Sequence, residues 1–331
     1  MSSPLRAVQI GAGAFCEKFH APALKRLASE ENPRISLQAV CDLDLDRAQQ
    51  FSREFGYAHV YNDFLRMVTE QKPDLMYCMV QPTATAKVLE KLLPIGIPVF
   101  TEKPPGVTVA EAERLAELAE QHKVMNYVAF NRRAMPGLLR LNHWAQENGP
   151  IRYIRAEMLR SRRLEPEFGV GTAIHSLDCL RFLGGEVREV ETRCHPHTGS
   201  AARDYLVRLH FQSRAVADLA VLVDCGLTRE TYCVQASNRM MEVSLCEPYS
   251  CEFCPNGEWI YQDNTLATAT AADADPLVAG GFIGEHNLFL DAVQSGRLPN
   301  CCLQDARYSL RLAVAVHQQY SGLLSQFQPE P

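Results

Sequence analysis

Residues 5–16 read LRAVQIGAGAFC. A short, mostly apolar run ends in Gly11, and Gly13 and Cys16 follow at the spacing G-x-G-x-x-C. A buried strand that must turn sharply into a helix needs these residue types. The first glycine permits the tight turn, the second lets backbone N–H groups approach a ligand, and a small third residue lets helix and strand pack closely. Glu17 to Leu27 has helical spacing, so the turn would sit at a helix N-terminus, where partial positive charge favours an anion. Strand, glycine turn and helix in that order predict a pyrophosphate-binding turn built by Gly11, Ala12, Gly13, Ala14 and Phe15. Cys16 replaces the third glycine of the usual dinucleotide fingerprint and is small enough to do so.

Further along the chain the same unit recurs. Ile35 to Cys41 reads as a second strand that ends at Asp42, where a carboxylate suits the ribose hydroxyls of a dinucleotide. Asp42 lies later than the usual ~20 residues after the motif, because the intervening helix and its loop SEENPR are long. An acid here repels a 2′-phosphate, so NAD is expected; Arg47 is close enough in sequence to leave NADP open. Asp44 to Phe55 reads as a helix stopped by Gly56. Asp74 to Val80, Val99 to Thr101 and Val124 to Phe130 read as strands. Ala84 to Leu93 reads as a helix, and Thr108-x-x-Glu111 as a capping box opening a helix through Gln121. Repeated strand–helix units predict an α/β domain of the Rossmann kind, a doubly wound parallel sheet, over residues 1–127.

The second half has a different rhythm. Pro136 to Asn148 and Ala173 to Leu183 read as helices, with a strand over Ile151 to Arg160 between them. From Val187 to Gln262 strands follow one another with no obvious helix, which predicts a largely antiparallel sheet. Residues 264–279 are small and polar and read as a loop; helices are expected at Phe282 to Ser295 and Gln304 to Leu324. Residues 128–327 are therefore read as an α+β domain with a large, mostly antiparallel open sheet, and the C-terminal helices 282–324 are assigned to it. Its exposed face is expected to be apolar and covered by another subunit.

The bulk composition narrows the function. The chain has 331 residues, 47% hydrophobic and 22% charged, with a net charge of −6. That balance gives no basic face for nucleic acid, and no apolar run is long enough to span a bilayer. MSSPLRAVQIGAG has no signal-peptide anatomy, so a cytoplasmic protein with reduced cysteines is expected. Of the twelve cysteines, Cys251 and Cys254 form one C-x-x-C, with Cys246 or His195 as conceivable partners. A structural zinc site usually needs a second such pair, so no metal is expected.

The stretch VFTEKPPG (residues 99–106) puts a charged pair at the end of a buried strand, followed at once by two prolines. Together with Gly11-Ala-Gly13, Asp42, Gln81-Pro82, Asn131-Arg132-Arg133 and His175-x-x-Asp178, the motif Glu102-Lys103-Pro104 resembles the glucose–fructose oxidoreductase / inositol dehydrogenase (Gfo/Idh/MocA) family along nearly the whole chain. The resemblance implies an NAD(P)-dependent oxidoreductase of sugars, polyols or related compounds, with a Rossmann domain and an open-sheet domain that pairs copies into homodimers or homotetramers. Gln81, Pro82 and Glu102 would lie on the cofactor side. Lys103 would contact the substrate hydroxyl and the nicotinamide ribose, and His175 would take or give the hydroxyl proton, with Asp178 helping. The chemistry of the residues agrees. A cation beside the oxygen stabilises a developing alkoxide, and histidine titrates near neutrality. Carboxyl ends of parallel strands are where open α/β sheets bind ligands. The plainer alternatives are a surface lysine paired with Glu102 and a satisfied core histidine.

Two positions depart from the family pattern. Gly171 stands where members carry an aspartate four residues before the histidine, and Ala86 where many carry a histidine. Asp178, Glu165 or Glu167 could substitute for the missing carboxylate, or the substrate could differ there. A third reading is a catalytically inactive sensor that binds cofactor and ligand and acts through contact with another protein. Arg132, Arg160 and Arg162 are candidate substrate contacts that would suit an acidic sugar; a solvated loop paired with local acids is the alternative for the RSRR stretch.

Overall fold

The computed structural model describes residues 3–246, 249–253, 259–263 and 275–330. The chain forms two compact units, one of Met1–Asn131 with Gly281–Arg307 and one of Arg132–Gly280 with Tyr308–Pro331. The first unit holds strands β1 (Leu5–Ile10), β2 (Ile35–Cys41), β3 (His59–Tyr61), β4 (Leu75–Cys78), β5 (Val99–Glu102) and β6 (Asn126–Ala129). They lie in the order β3-β2-β1-β4-β5-β6, all parallel. The order reverses at β1, so β1 and β4 flank the switch point where such sheets open a crevice. Local signals set the helix ends. The Asp44 side chain caps Leu45–Phe55, and Gly56 closes it in a left-handed conformation. The Thr108/Glu111 capping box is complete. The chain leaves the glycine turn through a π-helical turn, Cys16–His20, before α-helix Ala21–Ala28 begins.

The division differs from the sequence reading. Gly281–Arg307, expected in the second domain with the rest of 282–324, belongs to the first unit. Helix Phe282–Ser295 sets His286 and Phe289 against Tyr77 and Phe100 of the parallel sheet, with ring centroids 4.8–6.0 Å apart. Val128 N–H then donates to Cys301 O at 2.7 Å, and Leu303 N–H to Asn126 Oδ1 at 2.7 Å. Amphipathic spacing shows that a helix has an apolar stripe, not which sheet the stripe covers.

The second unit is built on one mixed sheet. Its strands are β7 (Tyr153–Leu159), β8 (Val187–Pro196), β9 (Arg203–Phe211), β10 (Val216–Leu222), β11 (Arg229–Ala236), β12 (Arg239–Ser244), β13 (Tyr249–Phe253), β14 (Trp259–Asp263) and β15 (Gly322–Leu323). Among the described residues the order is β14-β13-β12-β11-β7-β10-β9-β8-β15. The β7–β10 pair is parallel and the others are antiparallel. The sheet thus extends beyond the expected 187–262, because β7 inserts at its centre and β15 adds an edge. The last long helix ends at His317 rather than Leu324, so that the chain can turn into β15. One face of the sheet carries ion pairs across strands rather than the expected bare apolar surface: Arg208–Asp218 at 2.7 Å, Arg229–Glu157 at 2.7 Å and Arg155–Glu242 at 3.0 Å. Cross-strand opposite charges satisfy one another on an exposed face. Among the described residues no helix is long and apolar enough to cross a membrane. The Cys251/Cys254 pair lies outside the residues whose side chains are described.

Candidate active-site residues

In the first unit the glycine turn has the form a dinucleotide needs. Gly11 sits at φ +97°, and a Cβ there would lie 2.3 Å from the Met79 carbonyl oxygen at the end of β4. A Cβ at Gly13 would meet no atom within 4 Å, so the turn is open on that side. The Ala12 N–H donates to Asp42 Oδ2 at 2.8 Å and the Asp44 N–H to Asp42 Oδ1 at 3.0 Å. Asp42 is thereby fixed beside the turn, with one lone pair of each oxygen still available for a ribose diol. An open cradle of backbone N–H groups and a fixed acid at the end of β2 fit NAD. Arg47 lies 3.8 Å from Asp42 and 3.5 Å from Asp44, so its charge is already matched. Ala14, Phe15 and Gln81 are exposed, and Gln81 and Pro82 begin the helix Pro82–Leu92.

The sequence reading missed the brace beneath this turn. Buried Gln9 donates to Gly11 O at 2.8 Å and to Cys16 Sγ at 3.3 Å, and accepts from Tyr57 OH at 2.6 Å. Burial pushes the Cys16 thiol far above its ordinary range, so it packs as a neutral side chain. A polar residue within the otherwise apolar LRAVQI was the available signal.

Lys103 directly follows β5, partly buried, and its peptide bond to Pro104 is cis. Its N–H donates to Glu102 Oε2 at 3.1 Å. Glu102 Oε1 in turn pairs with Nε2 of fully buried His20. Glu102 is held inward by the protein through both oxygens.

In the second unit His175 lies on the first turn of helix Ile174–Gly184 and is 6% exposed. Asp178, one turn on, is fully buried. Arg133 grips it bidentately at 2.8 and 2.6 Å, and Ser309 Oγ donates to it at 2.6 Å. The acid therefore fixes the helix that presents His175. Arg132 pairs with both oxygens of Glu230 at 2.6 and 3.0 Å, and Arg160 pairs with the same carboxylate. The Tyr232 hydroxyl lies 2.8 Å from Glu230 and 3.1 Å from Ser176 Oγ on the His175 helix. Burial alone would push the Glu230 carboxyl up, but the two guanidiniums outweigh it and hold it at about 2. Arg162 is exposed and its N–H donates to Asp224 at 3.1 Å. Arg163 pairs with Glu165. Gly171 closes the short helix Phe168–Gly171, and a Cβ there would meet no atom within 4 Å.

Residues 5–130 match the model of a family described as an oxidoreductase family with an NAD-binding Rossmann fold, GFO_IDH_MocA. D-glucoside 3-dehydrogenase of Escherichia coli K12 is 33% identical over 135 residues, covering 40% of this chain and 37% of that protein. Inositol 2-dehydrogenase of Salmonella paratyphi B is 27% identical over 173 residues, covering 49% of this chain and 51% of that protein. The chain thus spans about half or less of the curated relatives it matches. A dehydrogenase from Chromobacterium violaceum has the same fold, with a TM-score of 0.85 over 96% of both chains at 20% identity.

Proposed function

We propose, from the premise that this chain belongs through residues 5–130 to the Gfo/Idh/MocA oxidoreductase family, that it is an NAD(P)-dependent dehydrogenase or reductase of a sugar, polyol or related hydroxy or carbonyl compound. One observation carries the reading: the glycine turn, Asp42 and Lys103 all lie at the carboxyl edge of one parallel sheet, on strands β1, β2 and β5. The nicotinamide, when bound, supplies or accepts the hydride. The N–H groups from Gly13 onward, in the turn that Gly11 and Ala12 open, bind the pyrophosphate, and Asp42 binds the ribose diol and favours NAD over NADP. Gln81, Pro82 and Glu102 line the nicotinamide side. The Lys103 ammonium orients the reacting oxygen and stabilises its developing charge. His175 exchanges the oxygen's proton, and Asp178 serves by anchoring the His175 helix through Arg133. Because Glu230 engages both Arg132 and Arg160, a neutral sugar or polyol is favoured over a sugar acid, with Arg162 the remaining candidate for an anionic group.

The test is reduction of NAD and NADP at neutral pH over a panel of sugars, polyols and sugar acids. Lys103→Ala and His175→Ala should each lower kcat by roughly 100- to 10,000-fold while NADH still binds. Full activity in either variant would remove that residue from the chemistry. Gly171 supports a second reading, a ligand-binding sensor that turns nothing over. Tight NADH binding with no turnover on any substrate would favour it.

A second copy of this chain is the partner proposed for the charged face of the open sheet, giving a homodimer or homotetramer. Light scattering should then give a mass of two or four chains, and replacing both Arg155 and Arg208 by Glu should lower it. A monomeric wild-type mass would overturn the assignment.

A further inference from the structure

The first unit contains a cluster of titratable groups that the proposed chemistry does not use. His20 ends the π-helical turn and is fully buried. Its ring is enclosed by Phe15, Phe100 and Phe282, with centroids 5.4–5.8 Å away. Its Nε2 meets Glu102 Oε1, and its Nδ1 lies 3.2 Å from Nε2 of His286. Buried Glu285 follows, 3.7 Å from the same Nδ1, and neither of its oxygens accepts a hydrogen bond. The ring proton positions follow from this arrangement. Ionised Glu102 is acceptor-only, so His20 Nε2 must carry a hydrogen. In neutral His20 the bare Nδ1 then needs a donor, and His286 Nε2–H supplies it. That leaves His286 Nδ1 bare, and this atom makes no hydrogen bond. Burial pushes the His286 imidazole well below its ordinary range and the Glu285 carboxyl well above its own, with the Glu102 charge adding to the latter.

We infer that His286 and His20 form a buried imidazole chain that positions Glu102 and, through the Glu102 carboxylate on the Lys103 N–H, fixes the strand end that presents Lys103. The inference rests on the role proposed for Lys103. His20 and His286 touch no reacting atom and are positioning residues. The apolar rings around His20 keep water from competing for its ring nitrogens. π-Helical turns are rare and often fall at functional sites, and here one ends in His20.

The test separates donor chemistry from packing. His20→Phe fills the space without a donor, whereas His20→Gln loses packing and keeps a donor for Glu102. The inference expects kcat to fall roughly 10- to 100-fold in His20→Phe and His20→Gln to recover most of it, with NADH affinity little changed in both. Equal or better activity in His20→Phe than in His20→Gln would overturn it. A second arm is independent of turnover: nitrogen-15 spectra of the histidine rings should show both His20 and His286 protonated at Nε2 and bare at Nδ1. If those states are found but the wild type reduces no cofactor, the role of Lys103 fails while the ring chain stands. If the wild type is active and the ring states differ, the inference fails and the function stands. The ligand-capable atoms of His20, Glu285 and His286 lie within 4.8 Å of one another, close enough for a metal ion. Stoichiometric zinc in the purified protein, removable by chelator with loss of activity, would replace the hydrogen-bonded chain and also overturn the inference.

Discussion

Gly11→Ala is expected to abolish dinucleotide binding, raising the NADH Kd at least about 100-fold, or nearly 3 kcal/mol. Two penalties combine. An alanine at φ +97° adopts a left-handed conformation that costs roughly 1–2 kcal/mol. Its Cβ would also lie 2.3 Å from the Met79 carbonyl oxygen, and a backbone atom cannot swing aside as a flexible side chain would. β1 and β4 must part at the switch point, which distorts the N–H groups of Ala12 and Gly13. The melting temperature should fall with the affinity. Gly13→Ala is the control, because its Cβ meets nothing within 4 Å. Its stability should stay within about 0.5 kcal/mol of wild type, while its affinity falls because the methyl group occupies the open side of the cradle. Fluorescence titration with NADH and thermal melts of both variants check this. An unchanged Kd in Gly11→Ala, or a large loss of stability in Gly13→Ala, would contradict the cradle.

The second large effect concerns Glu230. Glu230→Gln keeps the shape but removes the anion between two guanidiniums. Breaking a buried ion pair on one side costs about 3–5 kcal/mol, and at this domain size the second unit should melt on the order of 10 °C lower. Acid should reproduce the loss. The folded Glu230 carboxyl sits at about 2, against a usual value of 4.5, so its folded pKa is depressed. The corresponding stability, about 3 kcal/mol, is fully present above pH 4.5 and drains away as the pH falls towards 2. The gap between wild type and Glu230→Gln should therefore be widest at neutral pH and narrow steadily below pH 4.5. Urea melts from pH 7 to pH 3 measure it; a gap independent of pH would show that Glu230 is not ionised in the folded protein.

What the sequence revealed depended on the range of each interaction. The glycine turn, the Asp42 strand end and the Thr108 capping box involve a few consecutive residues, and the spacing alone exposes their physics. The position of Lys103, after a buried strand and before two prolines, was legible for the same reason. The arginines were harder. Arg132 and Arg160 are answered by Glu230, 98 and 70 residues away, and nothing local announces that partner. Asp178 shares a helix face with His175, which invites a catalytic pairing, yet its carboxylate is gripped by Arg133, 45 residues earlier. His20 lies within Glu17 to Leu27, which reads as one regular helix, and its partners Glu102 and His286 are 82 and 266 residues away. The returning segment Gly281–Arg307 was assigned by its neighbours in sequence rather than by the aromatic surface it covers.

That return has a consequence for how the protein is made. The aromatic surface of Tyr77 and Phe100 is complete once β5 has been synthesised, but the helix that covers it starts at Phe282. All of residues 132–280 must first emerge from the ribosome, which takes about 7 to 30 s at ordinary rates of translation. Throughout that interval the nascent parallel sheet carries an uncovered greasy face beside a half-finished second unit. The first unit is the first to begin yet stays incomplete until Arg307, after most of the second unit has been made, which makes the growing chain a natural client for a chaperone that binds apolar surface at the ribosome exit.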